Sequence, residues 1–211
     1  MKKNKIRILI NLKTYNQGEK VLSLAESLKK VNQDIILGAQ ATDIKEIVEK
    51  TGLRVYAQHV DYFETGRNTG YILPEAVKAN KAQGVLLNHS EHKLKFLDIE
   101  KTVYRCKKLG LKTMIFVSSL KEAKKIEILK PDYIVFEPPK LVGGDISVSN
   151  AKPEIIREIA KNIKTKFLVG AGIKTREDVI KAIELGASGI GISSAITLAK
   201  NPSKKLKELV I

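Results

Sequence analysis

Residues 134–145 read Ile-Val-Phe-Glu-Pro-Pro-Lys-Leu-Val-Gly-Gly-Asp, and the rest of the chain is organised around this stretch. The apolar run predicts a β-strand that carries a carboxylate, Glu137, to its carboxyl end, because the two prolines that follow stop the strand and exclude a helix. Residues 141–144 are apolar and glycine-rich, which is typical of a mobile flap. Closure of such a flap would exclude water from Glu137. The alternative is that Glu137 is a solvated strand-end acid beside an ordinary loop.

The same order recurs eight times: a short Val/Ile/Leu run, a polar or glycine loop, and a longer stretch with helical spacing. The predicted strands are residues 6–12, 35–39, 54–58, 85–88, 113–117, 133–137, 167–170 and 189–192. The predicted helices begin near Glu19, Asp43, Pro74, Ile99, Lys121, Pro153, Arg176 and Pro202. Capping-box spacing over residues 119–122 and 175–178 supports two of these starts. Strict alternation predicts a parallel sheet, and eight units favour a closed (β/α)8 barrel over a doubly wound sheet.

Length and composition are consistent with one α/β domain over residues 1–211. The chain has 211 residues, of which 43% are hydrophobic, and no linker-like run interrupts it. Its formal charge is +15, which would attract nucleic acid, a membrane surface or small anions. The lysines are dispersed over helical segments without an aromatic-interleaved basic motif, so nucleic acid is not the expected partner.

Several features of the sequence bear on its compartment. The single cysteine, Cys106, excludes an internal disulfide and a multi-cysteine metal site. The apolar run at residues 8–10 is too short for a signal peptide, and no later stretch is long enough to span a bilayer. We therefore expect a soluble cytoplasmic protein that does not enter a membrane.

Polar residues at the predicted strand ends are the candidates for chemistry, because enzymes on such barrels place their active sites at the carboxyl ends of the strands. Asn11 and Lys13 alternate at the end of the first strand and point to the same side, and His89 and Glu91 follow the fourth. The alternatives are a surface lysine and a structural histidine. The three histidines show no ligand spacing, so no metal site is expected.

A second candidate site follows the last two predicted strands. Residues 169–173 read Val-Gly-Ala-Gly-Ile, which lets backbone N–H groups approach an anion closely. Ser193 and Ser194 lead into a predicted helical turn over residues 195–200, whose amino end favours negative charge. Loops after strands seven and eight commonly bind phosphate in (β/α)8 barrels, although glycines there also permit tight turns.

Six stretches together resemble the triosephosphate isomerase family, specifically its short archaeal-type form. They are Asn-Leu-Lys-Thr-Tyr at 11–15, Ala-Gln-His-Val-Asp at 57–61, Gly-Arg-Asn-Thr-Gly at 66–70, Leu-Leu-Asn-His-Ser-Glu at 86–91, Phe-Glu-Pro-Pro at 136–139, and residues 169–173. They occur in the order of the family and span almost the whole chain. The resemblance implies a TIM barrel that interconverts dihydroxyacetone phosphate and D-glyceraldehyde 3-phosphate through an enediolate, in glycolysis and gluconeogenesis, without a cofactor.

The resemblance also implies roles for individual residues. Glu137 would be the base, and His89 would be the electrophile, acting as a neutral imidazole as is established for this family. Lys13 would stabilise the developing oxyanion, with Asn11 as its polar neighbour and Glu91 as its ion-pair partner. The phosphate contacts would come from backbone N–H groups around Val142, Gly143 and Gly172 and from Ser193 and Ser194.

Assembly is implied in the same way. Members of the archaeal-type form assemble as tetramers, and Thr69, in the third loop, would buttress Asn11 and Lys13 of a neighbouring subunit. Three departures from the family pattern stand out. Lys140 replaces an acid, and residues 143–145 read Gly-Gly-Asp in place of Gly-Thr-Gly. Residues 193–195 read Ser-Ser-Ala in place of Ala-Ser-Gly. We expect Asp145 to point outward or to make a hinge contact. The rival hypotheses are another barrel enzyme for a phosphorylated metabolite and a catalytically inactive barrel that binds nucleic acid.

Overall fold

In a computed structural model, which describes residues 6–31, 34–141 and 147–210, the chain forms a closed barrel of eight parallel strands. The strands are Arg7–Asn11 (β1), Ile35–Ala39 (β2), Arg54–Ala57 (β3), Gly84–Leu87 (β4), Lys112–Val117 (β5), Tyr133–Phe136 (β6), Phe167–Val169 (β7) and Gly189–Ile192 (β8). Each strand pairs with the next along the chain, and β8 closes on β1 through pairs such as Ile8 with Ile190. The predicted (β/α)8 barrel is confirmed.

The helices lie between the strands. They are Glu19–Lys29 (α1), Ile44–Thr51 (α2), Pro74–Ala79 (α3), Phe96–Lys108 (α4), Leu120–Glu127 (α5), Val148–Ala151 (α6), Pro153–Asn162 (α7), Arg176–Glu184 (α8), Ser194–Thr197 (α9) and Pro202–Leu209 (α10), with a 3-10 turn at Pro139–Leu141. Helix α4 begins three residues before the predicted start at Ile99, because the partly buried Phe96 already packs on the core. Helix α9 is shorter than the predicted turn over residues 195–200, and α6 was not predicted.

Local sequence signals at the helix starts explain why most helices begin at or near their predicted first residues. Pro74, Pro153 and Pro202 occupy first turns, where their missing N–H costs no intrahelical bond. The capping box predicted at Thr175 is complete, since its hydroxyl accepts from the Asp178 N–H and the Asp178 carboxylate accepts from the Thr175 N–H. The box predicted at Ser119 is only half formed: the hydroxyl accepts from the Glu122 N–H, but the Glu122 side chain turns to Ser118.

The core has two layers because successive strand residues point to opposite sides of the sheet. One layer lies between the strands and the helices, where the apolar face of α1 packs. The other fills the barrel and consists of Leu9, Ile36, Tyr56, Leu86, Met114, Phe116, Val135 and Leu168. Residues two positions beyond these interior residues therefore face the carboxyl-terminal mouth of the barrel, and residues two positions before them face the amino-terminal mouth.

Cys106 lies fully buried on α4 and carries a free thiol. Burial raises the pKa of this thiol to about 12, so it stays protonated at neutral pH. Among the helices that the structure describes, none is long and apolar enough to cross a membrane.

Candidate active site

Polar residues from five strand ends meet at the carboxyl-terminal mouth around a narrow cavity of about 60 Å³. Among its lining residues are Asn11, Lys13, His89, Glu137, Gly172, Ser193 and Ser194. Residues more than 180 positions apart in sequence thus share one pocket. Glu91 borders an adjoining cavity, Thr69 is exposed on the β3–α3 loop, and Val142, Gly143 and Asp145 lie outside the described residues.

Glu137 lies against the imidazole of His89. It directly follows β6, where its N–H donates to the Val117 carbonyl and so continues the ladder for one residue. Its Oε2 atom lies 3.0 Å from His89 Nε2, but the contact lacks the alignment of a hydrogen bond. Within the described residues this buried oxygen has no hydrogen-bond partner, so the carboxylate keeps an unused acceptor beside the His89 ring.

The protonation of the His89 ring follows from the turn after β4. The backbone N–H of Glu91 donates to His89 Nδ1 at 3.1 Å, so Nδ1 carries no proton. In the neutral ring the proton then lies on Nε2, which faces Glu137 and the cavity. Glu91 Oε2, at 3.5 Å from Nδ1, is too far for a strong hydrogen bond and does not alter this assignment. The ring is also fixed by an edge contact with Phe116, at 4.7 Å between centroids.

Lys13 is held in place by both its backbone and its side chain. Its φ angle is +48°, a left-handed conformation that a residue with a Cβ rarely adopts. The Gln58 amide donates to the Lys13 carbonyl at 3.0 Å, and the Asn11 side-chain oxygen accepts from the Lys13 N–H at 3.1 Å. The Lys13 ammonium donates to Glu91 Oε1 at 2.5 Å. This chain of contacts links the cation after β1 to the turn that orients His89.

Gln58 is a positioning residue, and no role for its side chain was predicted from the sequence. Its amide donates both to the Lys13 carbonyl and to the Gly38 carbonyl, each at 3.0 Å, and so ties β3 to β2 and to the turn after β1. Its position two residues after Tyr56, on the same side of β3, was available from the sequence. Its acceptors were not, because they lie on other strands.

A carboxylate behind β5 supports the turn that carries His89. Asn88, buried and at φ +63°, donates to the Phe116 carbonyl at 2.8 Å and to Glu122 Oε1 at 2.9 Å. Burial works to raise the pKa of Glu122, but hydrogen bonds from Lys93, Ser118 and Asn88 outweigh it and hold the pKa below its usual value. Glu122 was expected only to cap α5.

The opposite wall of the cavity is built largely from backbone. Ala171 and Gly172 adopt successive left-handed conformations, with φ of +72° and +71°, after β7. Ser193 contributes a buried hydroxyl that has no hydrogen-bond partner in the described parts of the chain, and Ser194 begins α9. Lys174, which was not singled out from the sequence, also lines this wall. The arrangement presents donors and positive charge to an anionic group.

An adjoining cavity of about 350 Å³ opens beside Lys13 and His89. The rings of His59 and His92 stack on its wall with centroids 4.2 Å apart, and His59 Nε2 lies 3.1 Å from Asp61. Burial, followed by the neighbouring His59, lowers the pKa of His92. No group of three or more His, Cys, Asp or Glu residues suited to a metal ion occurs in the described ranges.

A closed (β/α)8 barrel with an acid, an imidazole and an ammonium group at its carboxyl-terminal mouth defines a barrel enzyme. The family model described as triosephosphate isomerase matches residues 6–209. The chain belongs to the triosephosphate isomerase family and is an isomerase.

Curated relatives agree over nearly the whole length. The triosephosphate isomerase of Methanocaldococcus jannaschii is 40% identical over 214 residues, covering 96% of this chain and 98% of the relative. That of Saccharolobus solfataricus is 42% identical, covering 96% and 94%. That of Sulfurisphaera tokodaii is 41% identical, covering 97% and 93%.

Proposed function

We propose that the chain interconverts dihydroxyacetone phosphate and D-glyceraldehyde 3-phosphate, with Glu137 as the base and His89 as the electrophile. The observation that carries this assignment is the 3.0 Å approach of Glu137 Oε2 to His89 Nε2 at the wall of one small cavity. An accepting oxygen and a donating nitrogen thus lie side by side. Such a pair suits proton transfer at a carbon next to a carbonyl group.

The reaction moves one proton between two adjacent carbons and one between their oxygens, and it needs no oxidant or reductant. Glu137 removes the proton from the carbon next to the carbonyl, and the electron pair left behind forms the enediolate as the carbonyl oxygen becomes negative. The Nε2–H of His89 donates to that oxygen, and the Lys13 ammonium stabilises its charge. His89 then carries a proton from the hydroxyl on the deprotonated carbon to the former carbonyl oxygen. Glu137 returns its proton to the former carbonyl carbon as the other carbon becomes the new carbonyl, so the substrate and the product have the same atoms.

The phosphate group would occupy the wall formed by Gly172, Ser193 and Ser194. Their backbone N–H groups, together with those of Val142 and Gly143 in the proposed flap, would hold the end of the substrate that does not react. Binding energy from this remote group would drive flap closure and orient the carbonyl between Glu137 and His89. Closure would also suppress loss of phosphate from the enediolate.

We further propose that the chain is a single domain that works in the cytoplasm as a homo-oligomer, with a tetramer as the expected state. In support, the β3–α3 loop carries the exposed Thr69 and Tyr71, the latter 52% exposed. The cavity of about 350 Å³ beside Lys13 would receive this loop from a neighbouring subunit. Thr69 of one subunit would then contact Asn11 and Lys13 of another.

A coupled assay of glyceraldehyde 3-phosphate turnover tests the assignment directly. Replacement of Glu137 by Gln keeps the size of the side chain but removes the base, so we expect kcat to fall by about 10³-fold, within the range of general base catalysis. The circular dichroism spectrum should be unchanged. Glu26→Gln, at an exposed position on α1, is the matched control and should retain full activity. An inactive wild type, or an unimpaired Glu137→Gln variant, would contradict the proposal.

A further inference from the structure

The amino-terminal mouth of the barrel carries a cation on every odd-numbered strand. Arg7, Arg54 and Lys112 are the first residues of β1, β3 and β5, and Lys166 directly precedes β7. The residues two positions further along these strands, Leu9, Tyr56, Met114 and Leu168, all belong to the barrel interior. Because alternate residues share a side, the four basic residues occupy the inward register. They therefore converge on the mouth instead of spreading over the outer surface.

These four side chains line one cavity of about 530 Å³, together with Tyr56, Gln83, Asp132 and Tyr133. A second cavity beside it shares Arg7, Tyr133 and Lys166. Within the described ranges, the even-numbered strands add no cation to this layer, since β4, β6 and β8 begin with Gly84, Tyr133 and Gly189 and Asp34 directly precedes β2. The tyrosine hydroxyls and the Gln83 amide provide neutral hydrogen-bond donors around the charged groups.

The positive charge at this mouth exceeds the negative charge. Asp34 pairs with both Arg7, at 2.9 Å, and Arg54, while Asp132 pairs with Lys112 at 2.8 Å. Among the described residues, two carboxylates therefore face four cations. Burial, followed by the charge of Arg7, lowers the pKa of the Arg54 guanidinium, as expected where cations crowd together.

One donor at this mouth also lacks an acceptor. The Nε atom of Arg7 is buried and has no hydrogen-bond partner among the residues that the structure describes. A buried unpaired donor is costly, and the cost is larger for a charged group. An oxyanion in the cavity that Arg7 lines would balance the excess charge around this guanidinium.

We propose that the amino-terminal mouth is a binding site for a dianionic phosphate group, either as inorganic phosphate or as part of a phosphomonoester. The site lies at the opposite end of the barrel from Glu137 and does not depend on the proposed function. Its layer is assembled only in the folded barrel, from four strands distant in sequence. Binding therefore stabilises the native state by mass action.

Thermal unfolding in the presence of phosphate measures binding at this site. Wild type and the variant Lys112→Gln/Lys166→Gln are titrated with inorganic phosphate against sodium chloride of equal ionic strength, and the rise in Tm gives an apparent Kd. We expect the variant to bind phosphate at least about tenfold more weakly at this site, because two of the four cations are lost. The carboxyl-terminal cavity is the same in both proteins, so phosphate bound there contributes equally, and the difference between the two proteins reports binding at the amino-terminal mouth. A parallel titration with adenosine 5′-monophosphate distinguishes a phosphomonoester from the free ion.

The matched control is Lys20→Gln/Lys121→Gln, which removes two exposed lysines from the first turns of α1 and α5, at the other end of the barrel. It should respond to phosphate as the wild type does. If the mouth variant folds poorly, Lys166→Gln alone, at an exposed position, serves instead. Equal phosphate stabilisation in all proteins would overturn the proposal, and so would an equal loss in the mouth variant and the control.

Discussion

The two mouths of the barrel use the same inward register of the strands in different ways. At the carboxyl end the chain leaves the strands through left-handed residues, at Lys13, Asn88 and Ala171, and each lies in or beside the active-site cavity. At the amino end the strands simply begin, and long basic side chains reach the mouth from extended backbone. One mouth is shaped by the backbone, and the other by side-chain length.

This difference indicates where the molecule is strained and where it is adjustable. A left-handed residue with a Cβ costs about 1 kcal/mol or more, and such strain persists only where neighbouring contacts fix it. Gln58 and Glu122 make those contacts at the carboxyl end. We therefore expect substitutions there to reduce activity, and comparable substitutions at the amino end to affect stability or anion binding.

A pair of glycines provides the strongest test of the contrast. A Cβ at Gly170 would lie 2.7 Å from Glu137 Oε1, and a Cβ at Gly189 would lie 2.0 Å from the Arg7 carbonyl oxygen. Gly170→Ala should displace the flexible end of Glu137 and lower kcat by about 10²-fold, as expected for a misplacement of about 1 Å. Gly189→Ala should instead force the backbone apart and lower the free energy of unfolding by about 1–3 kcal/mol.

The coupled assay and urea unfolding measure both effects in both variants. Activity is expressed per mole of folded protein, so that instability is not mistaken for lost catalysis. The contrast fails if Gly189→Ala loses as much activity per folded molecule as Gly170→Ala.

Two glutamines, one at each mouth, test the role of positioning. Gln58→Met removes the donor that fixes the Lys13 carbonyl, so the ammonium group should be less well placed and kcat should fall about tenfold. Gln83→Met, which alters the lining of the amino-terminal cavity, should leave kcat unchanged. Steady-state kinetics under saturating substrate provide the comparison. A role for Gln58 in folding alone would lower Tm without changing kcat.

The smallest predicted effect concerns the pH dependence of stability. Because the pKa of Glu122 is lowered in the folded chain, its charge stabilises the fold above the ordinary value of about 4.3, and that stabilisation is lost as pH falls through the folded pKa. Glu122→Gln should therefore be less stable than wild type by about 1 kcal/mol at pH 7, because it exchanges hydrogen bonds to a charged group, worth about 1.5–3 kcal/mol, for neutral ones, worth about 0.5–1.5 kcal/mol. This difference in the free energy of unfolding should become smaller below about pH 4.

Urea unfolding at a series of pH values tests this prediction. Glu49→Gln is the control, since Glu49 forms only an exposed ion pair with Lys81 and should have little effect at any pH. The prediction is refuted if the difference in the free energy of unfolding between Glu122→Gln and wild type stays constant from pH 7 to pH 3.

Much of the fold was predictable because its signals are local. Each strand is a short apolar run, and the number of strands in strict alternation with helices implied closure. The start of α4 was missed because Lys95, its N-cap residue, gives no capping signal. The contacts of the Glu122 side chain were predicted incorrectly for a related reason. The capping-box spacing from Ser119 to Glu122 predicts only a contact between neighbours along the chain, whereas the carboxylate also accepts from Asn88.

The site was predictable to the extent that it depends on strand ends. Glu137, His89 and Lys13 each follow a predicted strand, and the architecture brings such positions together. The proton on His89 Nε2 depends on where the Glu91 N–H points, and the partners of Gln58 lie on other strands. The cationic layer at the amino mouth required knowledge of which side of each strand faces inward. These features depend on tertiary geometry that sequence spacing does not encode.

The burial of the single thiol, Cys106, makes it a probe of how often the native protein opens. Since it is fully buried and protonated, a thiol-specific reagent can modify it only when α4 separates from the sheet. Its labelling rate would therefore follow transient opening of the native protein, without any engineered probe. The chain contains a single cysteine, so the signal would come from one known position.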